Sequence, residues 1–147
     1  MIRKLDLREI RERWEEFRGY AKKANLWGEN FEFCLSEYLL YVRQDKAHIW
    51  ICSDKKQEMF FVMTMLETKP ITRETILRWV CVSAMKDQAS KINLKTLWKD
   101  AFDKIVRFAQ MNKASAIKYE SNGNRWFRMI DSFGYKQQTT KMVLING

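Results

Sequence analysis

The sequence contains few of the residues that mark metal-binding or disulfide-linked proteins. Its 147 residues include one histidine and three cysteines. Cys34, Cys52 and Cys81 lie far apart inside apolar segments, without the spacing of a zinc site or of a disulfide framework. We therefore expect no bound metal and reduced, mostly buried cysteines. The histidine, His48, begins a predicted strand, and we interpret it as structural.

Long apolar runs and blocks of like charge are missing as well. No segment approaches the roughly 20 consecutive apolar residues that cross a bilayer, and residues 1–6 lack the apolar region of a signal peptide. No internal repeat and no low-complexity segment interrupts the chain. We therefore expect one domain over residues 1–147, in a soluble, cytoplasmic protein that makes no membrane contact.

The chain is rich in apolar residues and in positive charge. Hydrophobic residues make up 46% and aromatic residues 14% of the sequence, enough for the core of one domain. Lys and Arg number 27 and Asp and Glu number 18, which gives a net charge of +9. This charge would attract a polyanion such as a nucleic acid, an anionic protein or cofactor phosphates. It is equally typical of a soluble surface with a basic bias.

Apolar periodicity predicts two helices after a short edge strand. Asp6 and Glu9 have the spacing of a capping box, and the helix that follows is predicted to end at Gly19. Asn30 is predicted to cap a second helix, so residues 20–29 should form a loop.

A strand-rich centre and a mixed second half follow. The predicted strands are 48–53, 58–67 and 75–85, and the middle one is apolar on both sides, so it needs cover on both faces. After them, the pattern predicts a long helix at 94–112, a strand at 116–120, a short helix and a last strand at 139–145.

Residues 124–135 carry the most specific local pattern. They form a predicted amphipathic helix with Asn124 at its start and Gly134 and Tyr135 at its end. This pattern resembles the penultimate helix of the GNAT (Gcn5-related N-acetyltransferase) family. The order of elements also resembles that of the family over nearly the whole chain. In style, the chain is similar to small GNAT-like proteins of bacteriophages. The resemblance implies an α/β (α+β) fold: a single GNAT-like domain with a mixed, mostly antiparallel central sheet and helices on both faces. Independently of the family, Asn124 suits an N-cap and Gly134 a left-handed helix stop.

The resemblance also implies acyl-CoA as the cofactor, bound at the turn before the long helix. In the family this turn reads Gln or Arg, two residues, Gly, one residue, then Gly or Ala, because its backbone amides approach the pyrophosphate. Gln88 fits the pattern, whereas Lys91 and Asn93 stand at the small positions. We therefore expect an altered phosphate loop.

Lysine charge can replace this loop geometry. Lys91, Lys95 and Lys99 recur every fourth residue around the start of the long helix. They either hold phosphates or form a solvated basic face neutralised by Asp87, Asp100 and Asp103. The cofactor-binding residues that we predict are Gln88, Lys91, Asn93, Lys95 and Asn124.

The family's usual proton donor is missing. The resemblance places that tyrosine on the short helix, where this sequence has Ile130. The remaining candidates for proton transfer are Glu120, Ser121 and Tyr135.

Two functions stay open. One is an acyl-CoA-dependent N-acetyltransferase that acts on an amine acceptor. The other is a non-catalytic binding or assembly protein with the same fold, whose partner is a protein or a polyanion. Residues 125–128 interleave arginine and aromatic side chains, as single-strand nucleic-acid binders do, although the same spacing suits a core-facing helix.

Overall fold

Five α-helices, one 3₁₀ helix and seven strands make up the part of the chain that the structure describes. A computed structural model describes residues 1–24, 27–85, 94–119, 124–139 and 142–144, with the backbone alone for 124–127, 136–139 and 142–144. None of the helices in these ranges is long and apolar enough to cross a bilayer. In chain order, the elements are β1 (Ile2–Lys4), α1 (Leu7–Glu12), α2 (Trp14–Lys23), the 3₁₀ helix (Gly28–Asn30), α3 (Phe31–Arg43), β2 (Ala47–Asp54), β3 (Gln57–Thr68), β4 (Thr75–Ala84), α4 (Leu94–Met111), β5 (Ala114–Tyr119), α5 (Asn124–Ser132), β6 (Lys136–Thr139) and β7 (Met142–Leu144).

The strands form a mixed seven-stranded sheet in the order β1-β2-β3-β4-β5-β7-β6. The pairs β1–β2, β2–β3, β5–β7 and β6–β7 are antiparallel, whereas β4 and β5 are parallel. The predicted α/β class with a mixed, mostly antiparallel sheet is therefore confirmed. Chain contacts divide the molecule into two compact units, and β3 and β4 contribute residues to both. The first unit is Met1–Met65 with Cys81–Ile92, and the second is Leu66–Val80 with Asn93–Gly147.

The first unit has its core on β2 and β3. Residues 47–52 and 59–64 are buried in unbroken runs, so both faces of these strands are covered, as the apolar pattern of β3 predicts. Phe17 of α2 stacks on Phe61, with ring centroids 5.3 Å apart. Tyr38 of α3 donates its hydroxyl hydrogen to the carbonyl oxygens of His48 (2.7 Å) and Thr64 (2.9 Å). Because this buried hydroxyl has partners, its burial does not leave a polar group unsatisfied.

The start of the first helix agrees with its predicted cap, but its end does not. The Asp6 carboxylate accepts a hydrogen bond from the backbone N–H of Glu9 at 2.8 Å. The helix breaks at Arg13 and resumes as α2, which continues past Gly19 to Lys23. The predicted stop at Gly19 is wrong because the following residues gain burial: Ala21 is fully buried, and the Tyr20 ring lies 5.9 Å from that of Phe61.

Two further boundaries differ from the prediction. Asn30 ends the 3₁₀ helix and its side chain makes no capping hydrogen bond, so the helix begins there without the predicted cap. Residues 142–144 of the predicted strand at 139–145 form β7, and a second strand, β6, precedes β7 and pairs with it. Strand β6 was missed because it lies at the edge of the sheet, where polar residues are tolerated and the apolar alternation is absent.

Candidate functional site

A parallel strand pair joined by a helix organises the second unit. β4 and β5 pair in register, with Ile76 opposite Ala116 and Trp79 opposite Tyr119. Because the strands are parallel, α4 carries the chain back between them and runs opposite to β5, so its first turn lies toward the carboxyl end of β5. In open α/β sheets this is the edge at which ligands bind. The candidate site is therefore the first turn of α4 and the carboxyl end of β5, which both belong to the second unit.

The first turn of α4 favours an anion. It contains no acidic residue, and Lys95 within it is exposed to solvent. The backbone N–H groups at a helix N-terminus carry a partial positive charge, to which Lys95 adds a full one. This combination disfavours the helix by itself, and an anion bound at this turn would stabilise it.

Lys99, one turn after Lys95, forms an ion pair within α4. Its Nζ lies 2.8 Å from Asp103 Oδ2, so at this lysine the structure has the acidic neutralisation that was one of the two alternatives from the sequence. The same carboxylate accepts a hydrogen bond from the Tyr135 hydroxyl at 2.5 Å. Burial opposes ionisation of Asp103, but the hydrogen bonds from Lys99 and Tyr135 outweigh it and lower its pKa.

Tyr135 fixes the chain after α5 to α4. Its ring packs edge-on against Phe102, with centroids 5.1 Å apart. Burial, and next the hydrogen bond to Asp103, raise the pKa of Tyr135 well above its ordinary value. Gly134 has φ +90°, so the predicted left-handed helix stop is confirmed. Ile130 on α5 is fully buried.

An aromatic cluster supports the site and was not predicted. The Trp79 ring lies 6.5 Å from Trp98 and 5.8 Å from Phe102, both on α4. Tyr119 stands level with Trp79 on the same face of the sheet, and burial raises the pKa of its hydroxyl to about 12. The signal was available, because Trp98 and Phe102 are four residues apart on the apolar side of α4.

The structure describes three of the predicted site residues, Lys95, Asn124 and Tyr135, and leaves the others outside its described ranges. Lys95 lies in the first turn of α4, and Tyr135 reaches the same helix through Asp103. Asn124 is the first residue of α5, where the backbone alone is described. The other predicted residues lie outside the described ranges: Gln88, Lys91, Asn93, Glu120 and Ser121.

Other reactive groups lie in the first unit. Cys81 is 6% exposed, and burial raises the pKa of its thiol to about 12, so it stays protonated at neutral pH. His48 is buried and borders a surface cavity of about 320 Å³. Asp45 lies in this cavity between Lys4 (3.8 Å) and His48 Nε2 (3.3 Å). Among the described residues, no group of three or more His, Cys, Asp or Glu side chains is placed to hold a metal ion.

Sequence comparison finds no relative. No protein-family model matches the chain, and no curated protein matches it.

Structural comparison does find similar proteins. A predicted acetyltransferase from Clostridium acetobutylicum, solved with acetyl-CoA, is 12% identical with a TM-score of 0.62 and covers 94% of this chain and 90% of its own. An aminoglycoside 6'-N-acetyltransferase from Acinetobacter haemolyticus is 8% identical with a TM-score of 0.61, covering 95% of this chain and 92% of its own. A GNAT family acetyltransferase from Staphylococcus aureus is 12% identical with a TM-score of 0.58, covering 95% and 93%. At these identities the likeness shows the fold, which is that of the GNAT acetyltransferases.

Proposed function

We propose that the protein is a divergent member of the GNAT superfamily that binds an acyl-CoA and transfers its acyl group to an amine. The observation that carries this proposal is the first turn of α4, which has an exposed lysine and no acid and belongs to the helix that precedes β5 of the parallel strand pair. The shared fold supports it, since the similar protein from Clostridium acetobutylicum was solved with acetyl-CoA.

Lysine charge takes the place of the glycine-rich loop in this proposal. Lys95 and the N–H groups of the first turn of α4 contact the cofactor phosphates, which carry the charge that this turn lacks. Gln88, Lys91 and Asn93, which immediately precede the helix, complete the contacts, together with Asn124 at the start of α5.

Acyl transfer to an amine requires two proton movements. The amine nitrogen bonds to the thioester carbonyl carbon and loses a proton, while the carbon–sulfur bond breaks and the departing thiolate gains a proton. Ile130 has no group for either step. The Tyr135 hydroxyl already donates its hydrogen bond to the Asp103 carboxylate, which engages its proton within the fold. We therefore assign the proton transfers to Glu120 and Ser121 ahead of Tyr135.

A calorimetric titration with acetyl-CoA at physiological salt tests the cofactor site. We expect saturable binding of both acetyl-CoA and desulfo-CoA, with little heat from a short DNA duplex. Lys95→Glu should weaken acetyl-CoA binding at least tenfold, about 1.4 kcal/mol. Lys104→Glu makes the same charge change further along α4 and should leave the affinity within about twofold of the unchanged protein. Equal affinities for the two variants would remove Lys95 from the site.

A non-catalytic binding protein is the second candidate function. The observation that favours it is the complete burial of Ile130 at the position of the family's tyrosine. Release of free thiol from acetyl-CoA, measured with a panel of amines, separates the two functions. Binding without thiol release would favour the second function. Release that is lost in Glu120→Gln or Ser121→Ala would support the first.

A further inference from the structure

Helix α3 exposes a row of side chains at the spacing of a helix–helix contact. Phe33, Ser36, Leu40 and Arg43 follow one another at alternating intervals of three and four residues, and Glu29 precedes Phe33 by four in the 3₁₀ helix. All of them are exposed, with Phe33 at 69% and Leu40 at 45%. Residues at these intervals lie along one side of a helix. We call this set the α3 row.

The charges of the α3 row are arranged by sign. The row begins with the acid Glu29 and ends with the base Arg43. Its two large apolar side chains, Phe33 and Leu40, lie between these charges on either side of the small Ser36. Glu32 is not part of this arrangement, because it is ion-paired with Arg18 of α2.

A second copy of the same helix complements this row when it runs in the opposite direction. Each Glu29 then lies opposite Arg43 of the partner, and each Phe33 lies next to Leu40 of the partner. Ser36 meets its own copy at the centre, where its small size lets the helices approach. A parallel copy would instead place Glu29 against Glu29 and Arg43 against Arg43. From this complementarity we infer that the protein forms a twofold symmetric dimer through antiparallel α3 helices.

A groove beside the α3 row provides room for the aromatic side chain. It lies between α2 and α3, has a volume of about 370 Å³, and includes Leu40 and Arg43 of the row in its lining. Trp14, Leu35 and Leu39 supply the rest of its apolar lining, and Glu15, Arg18 and Glu32 supply the rest of its charged lining. Phe33 of the second copy arrives next to Leu40, at the edge of this groove. The same contact occurs twice, so both exposed phenyl rings are removed from water.

The predicted dimer is weak. One helix pair with an adjoining groove buries less than the roughly 800 Å² per partner of a standard interface, so we expect a dissociation constant of about 10–100 µM. This inference does not depend on acyl-CoA binding, since every residue that it uses lies in the first unit.

Sedimentation equilibrium over about 5–500 µM protein tests the dimer. The unchanged protein should pass from monomer to dimer in this range, and Phe33→Asp should remain monomeric. Ile71→Asp is the matched control: Ile71 is 95% exposed but lies outside α3, so this variant should dimerise like the unchanged protein. A monomer at every concentration, or a Phe33→Asp protein that still dimerises, would overturn the inference.

A charge exchange tests the antiparallel direction. Glu29→Arg and Arg43→Glu should each weaken dimerisation about tenfold, because each places like charges together at both ends of the contact. The double variant restores opposite charges and should recover the original dissociation constant within about threefold. Circular dichroism checks that each variant is folded. A double variant that is weaker than both single variants would exclude the antiparallel arrangement and overturn the inference.

Discussion

Arg13 links the first helical segment to the sheet of the first unit. Its guanidinium contacts the carboxylates of Glu9 (3.1 Å), Glu16 (2.9 Å) and Glu58 (2.6 Å). The planar, fixed geometry of arginine allows this simultaneous pairing, which lysine would not reproduce. The residue lies at the break between α1 and α2, where its φ of −111° and ψ of 18° interrupt the helix. The ion pairs therefore stabilise the break between the two helices.

Removing one carboxylate from this network should cost stability in a pH-dependent way. The hydrogen bond from Arg3 is the largest cause that lowers the pKa of Glu9, from 4.5 to about 2. Since the folded pKa is depressed, the stabilisation is complete above pH 4.5 and is lost as the pH falls toward 2. We expect Glu9→Gln to lower the free energy of unfolding by about 1 kcal/mol at pH 7, because solvent screens this partly exposed network.

Urea unfolding at a series of pH values measures this effect. The difference between Glu9→Gln and the unchanged protein should shrink steadily below pH 4.5. Glu12→Gln is the control, because Glu12 forms an exposed pair with Arg8 and should cost less than about 0.5 kcal/mol. If the difference in unfolding free energy between Glu9→Gln and the unchanged protein stays constant down to pH 2.5, the lowered pKa of Glu9 is not the source of the stabilisation.

The Tyr135 hydroxyl permits a separate test of structure and catalysis. Tyr135→Phe removes the hydrogen bond to Asp103 and should lower the free energy of unfolding by about 1 kcal/mol, while Asp103 keeps its contact with Lys99. Because we assign the proton transfers to other residues, thiol release from acetyl-CoA should remain within about threefold of the unchanged protein. Loss of thiol release with acetyl-CoA binding intact would make Tyr135 the proton donor.

At the scale of elements, two glycines give opposite predictions. Gly19 lies inside α2 and Gly134 follows α5 with φ +90°, and both have open space where a Cβ would stand. Gly19→Ala should therefore stabilise the protein by about 0.5–1 kcal/mol, because alanine restricts the unfolded chain without a clash. Gly134→Ala should destabilise it by about 1 kcal/mol, since the left-handed conformation is strained for alanine. Thermal unfolding of the two variants is the measurement, and shifts of the same sign would contradict the argument.

The elements also show what periodicity predicts and what it misses. The apolar stripe of α4, the continuous apolar runs of β2 and β3 and the strand pattern of β4 were predicted because burial on one or both faces produces a regular apolar pattern in the sequence. The continuation of α2 past Gly19 was missed, since a propensity cost of about 1 kcal/mol is smaller than the gain from burying residues beyond it. Edge strand β6 was missed because one-sided exposure allows a polar sequence.

The candidate site was predicted in part for similar reasons. The position of Lys95 in the first turn of α4 was predicted because the start of the helix is visible in the sequence, whereas its role in binding stays a prediction. The bond between Tyr135 and Asp103 and the contact of Trp79 with Trp98 join residues far apart in the chain. Such contacts are set by packing, and their distances are not encoded in local spacing. Gln88, Lys91, Asn93, Glu120 and Ser121 stay predictions.

At the scale of the whole molecule, the shared strands have a consequence for unfolding. β3 and β4 supply backbone to both compact units, so neither unit can unfold completely without losing strand pairs of the other. We therefore expect a single cooperative transition, as the predicted single domain requires. Scanning calorimetry should give equal calorimetric and van't Hoff enthalpies, and two separate transitions would contradict this expectation.

The fold is preserved while the sequence is almost unrelated. Similar acetyltransferases are 8–12% identical to this chain yet cover more than nine tenths of it. The order of elements and the buried positions define such a fold, and many apolar residues satisfy the same position. Acyl-transfer chemistry depends instead on a few polar groups, so under the proposed function we expect Lys91 and Asn93 to affect activity more than the fold.

The unequal burial of the cysteines makes the unmodified chain suitable for site-selective labelling. Cys52 and Cys81 are buried, whereas Cys34 on α3 is half-buried. A maleimide fluorophore or a nitroxide should therefore attach to Cys34 first, without any engineered residue. In a dimer with antiparallel α3 helices, the two nitroxides would lie close together across the symmetry axis. Pulsed electron paramagnetic resonance would then read the separation of the helices directly, as a distance between two identical probes.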